Sequence, residues 1–253
     1  ISNAQPWDNL KFDESGIIEV QRKFFGTLYN TYSFFTLYAN IDAFNYSEQP
    51  IQIINRAEID RWILSELHSL ITNVEECYES FEPTNIARLI QDFVINKLSN
   101  WHVRLSRRRF WKGDYNQQKI SAYQTLFECL EVISIISAPI APFYMDKLFQ
   151  DLNKISQRHK AKSVHLANFP KSNSSLIDKD LERKMNLAQN ITTLTLSLRK
   201  KEKLRVRQPL QKIMIPVLDS NTKNDILCVS QIIKSELNIK NIEFLEKDSA
   251  ILQ

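Results

Sequence analysis

Apolar residues recur every three or four positions at Ile59, Ile63, Leu67, Leu70, Val74, Cys77 and Phe81. That alternation lines one face of a 3.6-residue-per-turn helix and leaves the other face polar. A stripe of this length is hidden best against other helices, so the pattern predicts a bundle, and related patterns flank it. A first helix is expected over 15–44, with Ser15 as N-cap and a dense run of aromatics (Phe24, Phe25, Tyr29, Tyr32, Phe34, Phe35, Tyr38 and Phe44) spaced to fill a core. Pro83 suits the first turn of a third helix, whose inner stripe reads Ile86, Ile90, Phe93 or Val94, Leu98, Trp101 and Leu105. A fourth is expected over 117–137, ended by Pro139 and Pro142, with a shorter helix through Phe149 and Leu152. The fold expected is mainly α: an antiparallel helix bundle over 16–160.

The texture changes after that. Residues 161–177 are polar, serine-rich and contain Pro170, and they predict an exposed linker. Beyond it, Leu181, Met185, Ala188, Ile191, Thr195 and Leu198 mark a helix. A strand at 212–217, a helix at 223–237 and a strand at 241–245 complete a small α/β subdomain over 178–253.

Several functions are excluded early. The chain has three glycines, Gly16, Gly26 and Gly113, too far apart for a phosphate cradle or a dinucleotide fingerprint. Cys77, Cys129 and Cys228 are scattered and odd in number, which points to a reducing, cytoplasmic setting. His68, His102, His159 and His165 lack metal-ligand spacing and read as surface or capping residues. The longest near-apolar run, 132–145, is too short to span a bilayer. Pairs such as Glu75 with Glu76 sit on polar faces, and no nucleophile–base pair stands out.

The charge is unevenly distributed. Residues 96–119 hold seven Lys/Arg against Asp114, and 199–212 hold seven against Glu202. Taking those fourteen bases and two acids from totals of 33 and 29 leaves 19 and 27, a remainder of −8 on a chain of net +4. Two basic patches on an acidic body imply a polyanionic partner met at defined places. In the first patch, Asn100, Arg104, Arg107, Arg108, Arg109, Trp111 and Lys112 crowd the end of the third helix. Arginine offers forked donors to phosphate, and arginine and tryptophan both stack on bases. The helix's polar face repeats every fourth residue through Arg88, Asp92, Asn96, Asn100, Arg104 and Arg108. Because Arg107, Arg108 and Arg109 fan across about 200° of a helix, at least two must reach solvent. Trp101 is expected in the core, while Trp111 has two open roles, base stacking or packing. In the second patch, the alternation Arg205-Val206-Arg207 projects two arginines from one side of an extended segment.

The run over 100–111, preceded by Ile95-Asn96-Lys97-Leu98-Ser99, resembles the signature of the anticodon-binding helical domain of isoleucyl-tRNA synthetases. Similar matches keep that family's order: Arg22-Lys23-Phe24-Phe25, Leu28-Tyr29-Asn30-Thr31-Tyr32, Ala138-Pro139-Ile140-Ala141-Pro142-Phe143, Ser163-Val164-His165-Leu166-Ala167-Asn168-Phe169-Pro170, and 203–210. The resemblance covers nearly the whole chain. It implies a class I ligase that joins isoleucine to its tRNA with ATP and magnesium, with tRNA-Ile as partner, no DNA or membrane partner, and a monomeric state. Neither a His-Ile-Gly-His type motif nor a Lys-Met-Ser-Lys-Ser loop occurs in the sequence. It therefore resembles a C-terminal portion without the active site, 1–15 being a linker from the catalytic core, and no cofactor is expected in it. His102 stands where the family usually carries tyrosine. Valyl- and leucyl-tRNA synthetases are the nearest alternatives; a helical scaffold for protein partners is the alternative from another class.

Overall fold

The computed structural model describes Trp7, Asn9 and residues 14–217 and 219–245, so the stretch expected as an N-terminal linker lies almost wholly outside the described residues. The chain divides between Ile177 and Asp178 into two units.

The first unit is the helix bundle. Helix α1 (Glu14–Val20) continues through a wide π turn (Gln21–Phe25) into α2 (Gly26–Ile41). Ser15 is the second residue of α1. Helix α3 (Glu58–Glu79) is followed by α4 (Pro83–Asp92), a π-helical segment (Phe93–Val103) and α5 (Arg104–Trp111), which form one continuous rod. Helices α6 (Gln117–Ser137) and α7 (Pro142–Ser156) complete the unit. Pro83 and Pro142 each occupy a first turn, where the missing N–H costs nothing.

Sixteen of the 21 residues of α6 are buried, which makes it the central helix. It is long and apolar enough to cross a membrane by composition, but 83% of that window is enclosed by its neighbours. Helix α3 is also buried on more than the predicted stripe: Trp62, Leu64, Glu66 and Ile71 join Ile63, Leu67 and Val74 inside. Phe81 departs from the prediction and is 86% exposed. The helix has ended at Glu79, and Phe81 takes φ 55° to reverse the chain before Pro83, whose ring bars its predecessor from the helical region.

The aromatic run of α1 and α2 is only partly core. Phe35 packs edge-on to Phe44 and Tyr123, whereas Tyr29 is 59% exposed. The third rod resolves the choice between Phe93 and Val94 by burying both. A π segment carries more residues per turn than an α-helix, so two neighbours share the inner face before the stripe resumes at Leu98.

Residues 161–177 do not hang free. Asp146 on α7 accepts from the Ser163 hydroxyl and the Val164 N–H, both at 2.8 Å. Further on, Ser172 donates to the His68 carbonyl at 2.9 Å, and the Asn173 N–H meets His68 Nδ1 at 3.1 Å. The polar composition read as a linker is the set of side chains that staples this segment to the bundle.

The second unit holds α8 (Lys179–Lys201), β1 (Leu210–Pro216), α9 (Ser220–Cys228), α10 (Ser230–Leu237) and β2 (Ile239–Leu245). The strands pair in parallel, Leu210 with Ile239 through Pro216 with Leu245. A parallel pair needs a long crossover, which α9 and α10 supply. The single helix expected there is broken at Val229 (φ −99°, ψ 10°). Met185, Ala188, Ile226, Ile233 and Leu237 form the core.

Candidate nucleic-acid interface

The polar face of the third rod is continuous in space. Arg88, Asp92, Asn96, Asn100, Arg104 and Arg108 are all exposed. Asn96 donates to Asp92 at 2.7 Å near the start of this row, and its far end is basic. The Arg104 guanidinium lies 5.7 Å from the ring of Trp101, and that of Arg107 5.9 Å from Phe34. Such stacking holds a long side chain in place at little cost to its charge. Arg107, Arg108 and Lys112 are exposed. Trp101 is buried as expected, at 4% exposure, while Trp111 is 55% exposed at the last residue of α5. The ring of Trp111 therefore lies outside the buried core. Phe110 takes the inward place, edge-on to Phe34 and Tyr123 at 5.1 Å each. Gly113 then turns the chain at φ 83°, a conformation that L side chains rarely adopt.

Arg109 requires a correction as a contact residue. Its guanidinium donates to both carboxylate oxygens of Asp60, at 2.8 and 2.6 Å, and to Gln118 O and Ser121 Oγ. These bonds occupy the fork inside the bundle. His102 is corrected as well: it is fully buried, with Nε2 3.0 Å from Asp60 Oδ1, and is no surface histidine. Asp60 itself is fully buried on the first turn of α3. Burial pushes its carboxyl upward, but hydrogen bonds from His102 and Arg109 outweigh that and hold it at about 2. This carboxylate thus ties the first turn of α3 to the rod that carries the basic cluster. The sequence held a signal for it. Trp62, Leu64 and Ile71 give α3 a second apolar side, which makes an acid beside them a candidate for burial.

The second patch also differs from its sequence reading. Residues 205–207 form a turn and not an extended segment, with the Gln208 N–H on Arg205 O at 3.0 Å. Arg205 and Arg207 are both exposed, as are Lys200, Lys201 and Lys203. A 350 Å³ cavity beside α2 is lined by residues including Tyr32, Phe35, Asn40, Phe44 and Asp151, with no Lys or Arg. With Asp151 in its lining and no cation, it gives phosphate no opposite charge.

Comparison with known proteins agrees with this geometry. The family profile described as the anticodon-binding domain of tRNA ligase matches residues 60–214, from the buried Asp60 into β1. The isoleucine–tRNA ligase of Cytophaga hutchinsonii is 55% identical over 252 residues, which cover all of this chain and 23% of that protein. That of Bacteroides fragilis is 54% identical, with all of this chain and 22% of the relative covered. The Clostridium tetani enzyme is 40% identical across 95% of this chain and 23% of its own length. The chain spans less than a quarter of the length of these relatives. On the family match and the motif resemblance together, the chain belongs to the anticodon-binding domain family of tRNA ligases.

Proposed function

We propose that this chain grips the anticodon stem-loop of tRNA-Ile as the RNA-binding module of an isoleucine–tRNA ligase. The observation that carries the reading is the exposed row Asn100, Arg104, Arg107, Arg108 and Lys112 ending beside an exposed Trp111. Cations along a helix meet the phosphates of a stem, and a tryptophan at its tip offers a face to an unstacked loop base. Isoleucine, rather than valine or leucine, is favoured by the names of the relatives. In the longer enzyme, such a grip orients the acceptor end toward the catalytic domain. We place the enzyme in the cytoplasm as a monomer, without DNA as a partner.

ATP and magnesium serve the charging reaction, and the residues present here do not fit them. The sequence has no glycine cradle, and among the described residues no three His, Cys, Asp or Glu side chains converge to hold a metal. No step of the reaction is therefore assigned to this chain. Titration against tRNA-Ile and a non-cognate tRNA at several salt concentrations tests the reading. Preference for tRNA-Ile with a steep salt slope is expected; a shallow slope would favour a scaffold for protein partners.

A further inference from the structure

Arg199, in the last turn of α8, is a buried cation at 3% exposure, and none of its bonds goes to a carboxylate. Its Nη2 donates to the carbonyl oxygens of Gln208 at 2.5 Å, Arg205 at 2.6 Å and Val206 at 3.3 Å. From β2's side of the loop, the amide of Asn238 donates to Val206 O and Arg207 O, each at 3.1 Å. Four successive carbonyls, from Arg205 to Gln208, are thereby drawn toward these two side chains.

What such a loop leaves for solvent is the opposite polarity. The N–H groups of Arg205, Val206 and Arg207 donate to no group among the described residues. The side chains of Lys200, Lys201, Lys203, Arg205 and Arg207 are exposed, and none has an acidic partner among the described residues. Unsatisfied amides beside cations in one short stretch of chain are a set of donors suited to anions. The guanidinium of Arg199 keeps its charge beneath this loop, because every bond it makes is to a neutral carbonyl and none to a carboxylate.

We infer that Arg199 and Asn238 are positioning residues that hold loop 205–208 as a second RNA-phosphate site, which Arg205 and Arg207 contact directly. The inference rests on the tRNA-binding reading above. It adds a site in the second unit and names the two residues that build it.

The test is tRNA-Ile binding by the whole chain across a salt series, with melting curves for every variant. Arg205→Ala/Arg207→Ala should lower the logarithmic salt slope by about two and weaken binding roughly tenfold at moderate salt. Arg199→Met keeps both arginines yet should lose a similar amount. Added to the double variant it should cost less than it does alone, because part of its effect runs through those two arginines. Asn238→Gly changes no charge and suits the left-handed backbone (φ 50°, ψ 55°), so it should weaken binding with little change in melting. Should Arg199→Met fail to fold, Asn238→Gly decides alone, and parental affinity there removes the clamp. Parental affinity and slope in Arg205→Ala/Arg207→Ala, with loss in Arg107→Ala/Arg108→Ala, overturns this site and leaves the bundle reading intact. A parent chain that binds no tRNA at any salt overturns both.

Discussion

Asp60 carries its charge where no water reaches it, and three side chains share the work of holding it there. Arg109 supplies two bonds, His102 faces one oxygen at 3.0 Å, and the Ser121 hydroxyl donates at 3.3 Å. Removing one partner from such a group leaves the others buried and unpaired, which costs about 3–5 kcal/mol. Asp60→Asn is therefore expected to lower the melting temperature by roughly 10 °C at pH 7, at about 2–4 °C per kcal/mol for a unit of this size. The pH dependence has a definite sign. A carboxyl held at about 2 in the folded state and about 4 unfolded adds stability that is complete above pH 4 and disappears as pH falls through 2. The gap between parent and variant should narrow across that window in an acid melting series. A gap that stays constant down to pH 2 would mean the ionised carboxylate is not what holds the rod.

At the scale of the element, the rod from Pro83 to Trp111 sorts its residues by face, and much of that was legible. Its polar row could be read from the sequence because a four-residue repeat stays on one side of a helix, and every member is exposed. The bounds of α6 and the existence of β1 and β2 were legible for similar reasons of period and of Pro and Gly punctuation. What escaped depends on distant partners. No local pattern says that Arg109 turns inward, because its acid lies 49 positions away. The π segment is set by packing along the rod, and the curl of 205–208 by Arg199 and Asn238. The sorting predicts contrasting variants. Arg107→Ala/Arg108→Ala should cut the salt slope by about two units with stability changed by no more than about 0.5 kcal/mol. Trp101→Ala, deep in the bundle, should cost about 3–5 kcal/mol of stability. Trp111→Ala should leave melting intact and weaken tRNA binding by about 1–3 kcal/mol, the range of one base stacked on an aromatic ring. Parallel melting and binding curves check the set, and lost stability in Trp111→Ala would contradict its exposed placement.

For the whole molecule, the deciding quantity is how its charge is placed. A net of +4 over 253 residues would attract RNA only weakly if it were spread evenly. Within the two clusters Lys97 is paired with Glu66, Arg109 with Asp60, Lys119 with Asp42 and Lys212 with Glu243, so the proposed RNA contacts fall to the exposed cations that remain. The chain also lacks the phosphate-holding loops and class I motifs of a catalytic domain. Alone it should support no isoleucine-dependent exchange of pyrophosphate into ATP, and exchange above background with purified chain would contradict this. Binding gives the sharper number. Six cations, Arg104, Arg107, Arg108, Lys112, Arg205 and Arg207, are exposed. If each neutralises one phosphate, the logarithmic dependence of affinity on salt should have a slope of about −4 to −5, at about 0.7–0.9 per contact. That slope counts phosphates wherever they lie on the tRNA, so it is independent of how the clusters are arranged. A measured slope shallower than about −2 would leave most of these cations without a phosphate, and a protein partner would then account for the chain better than RNA does.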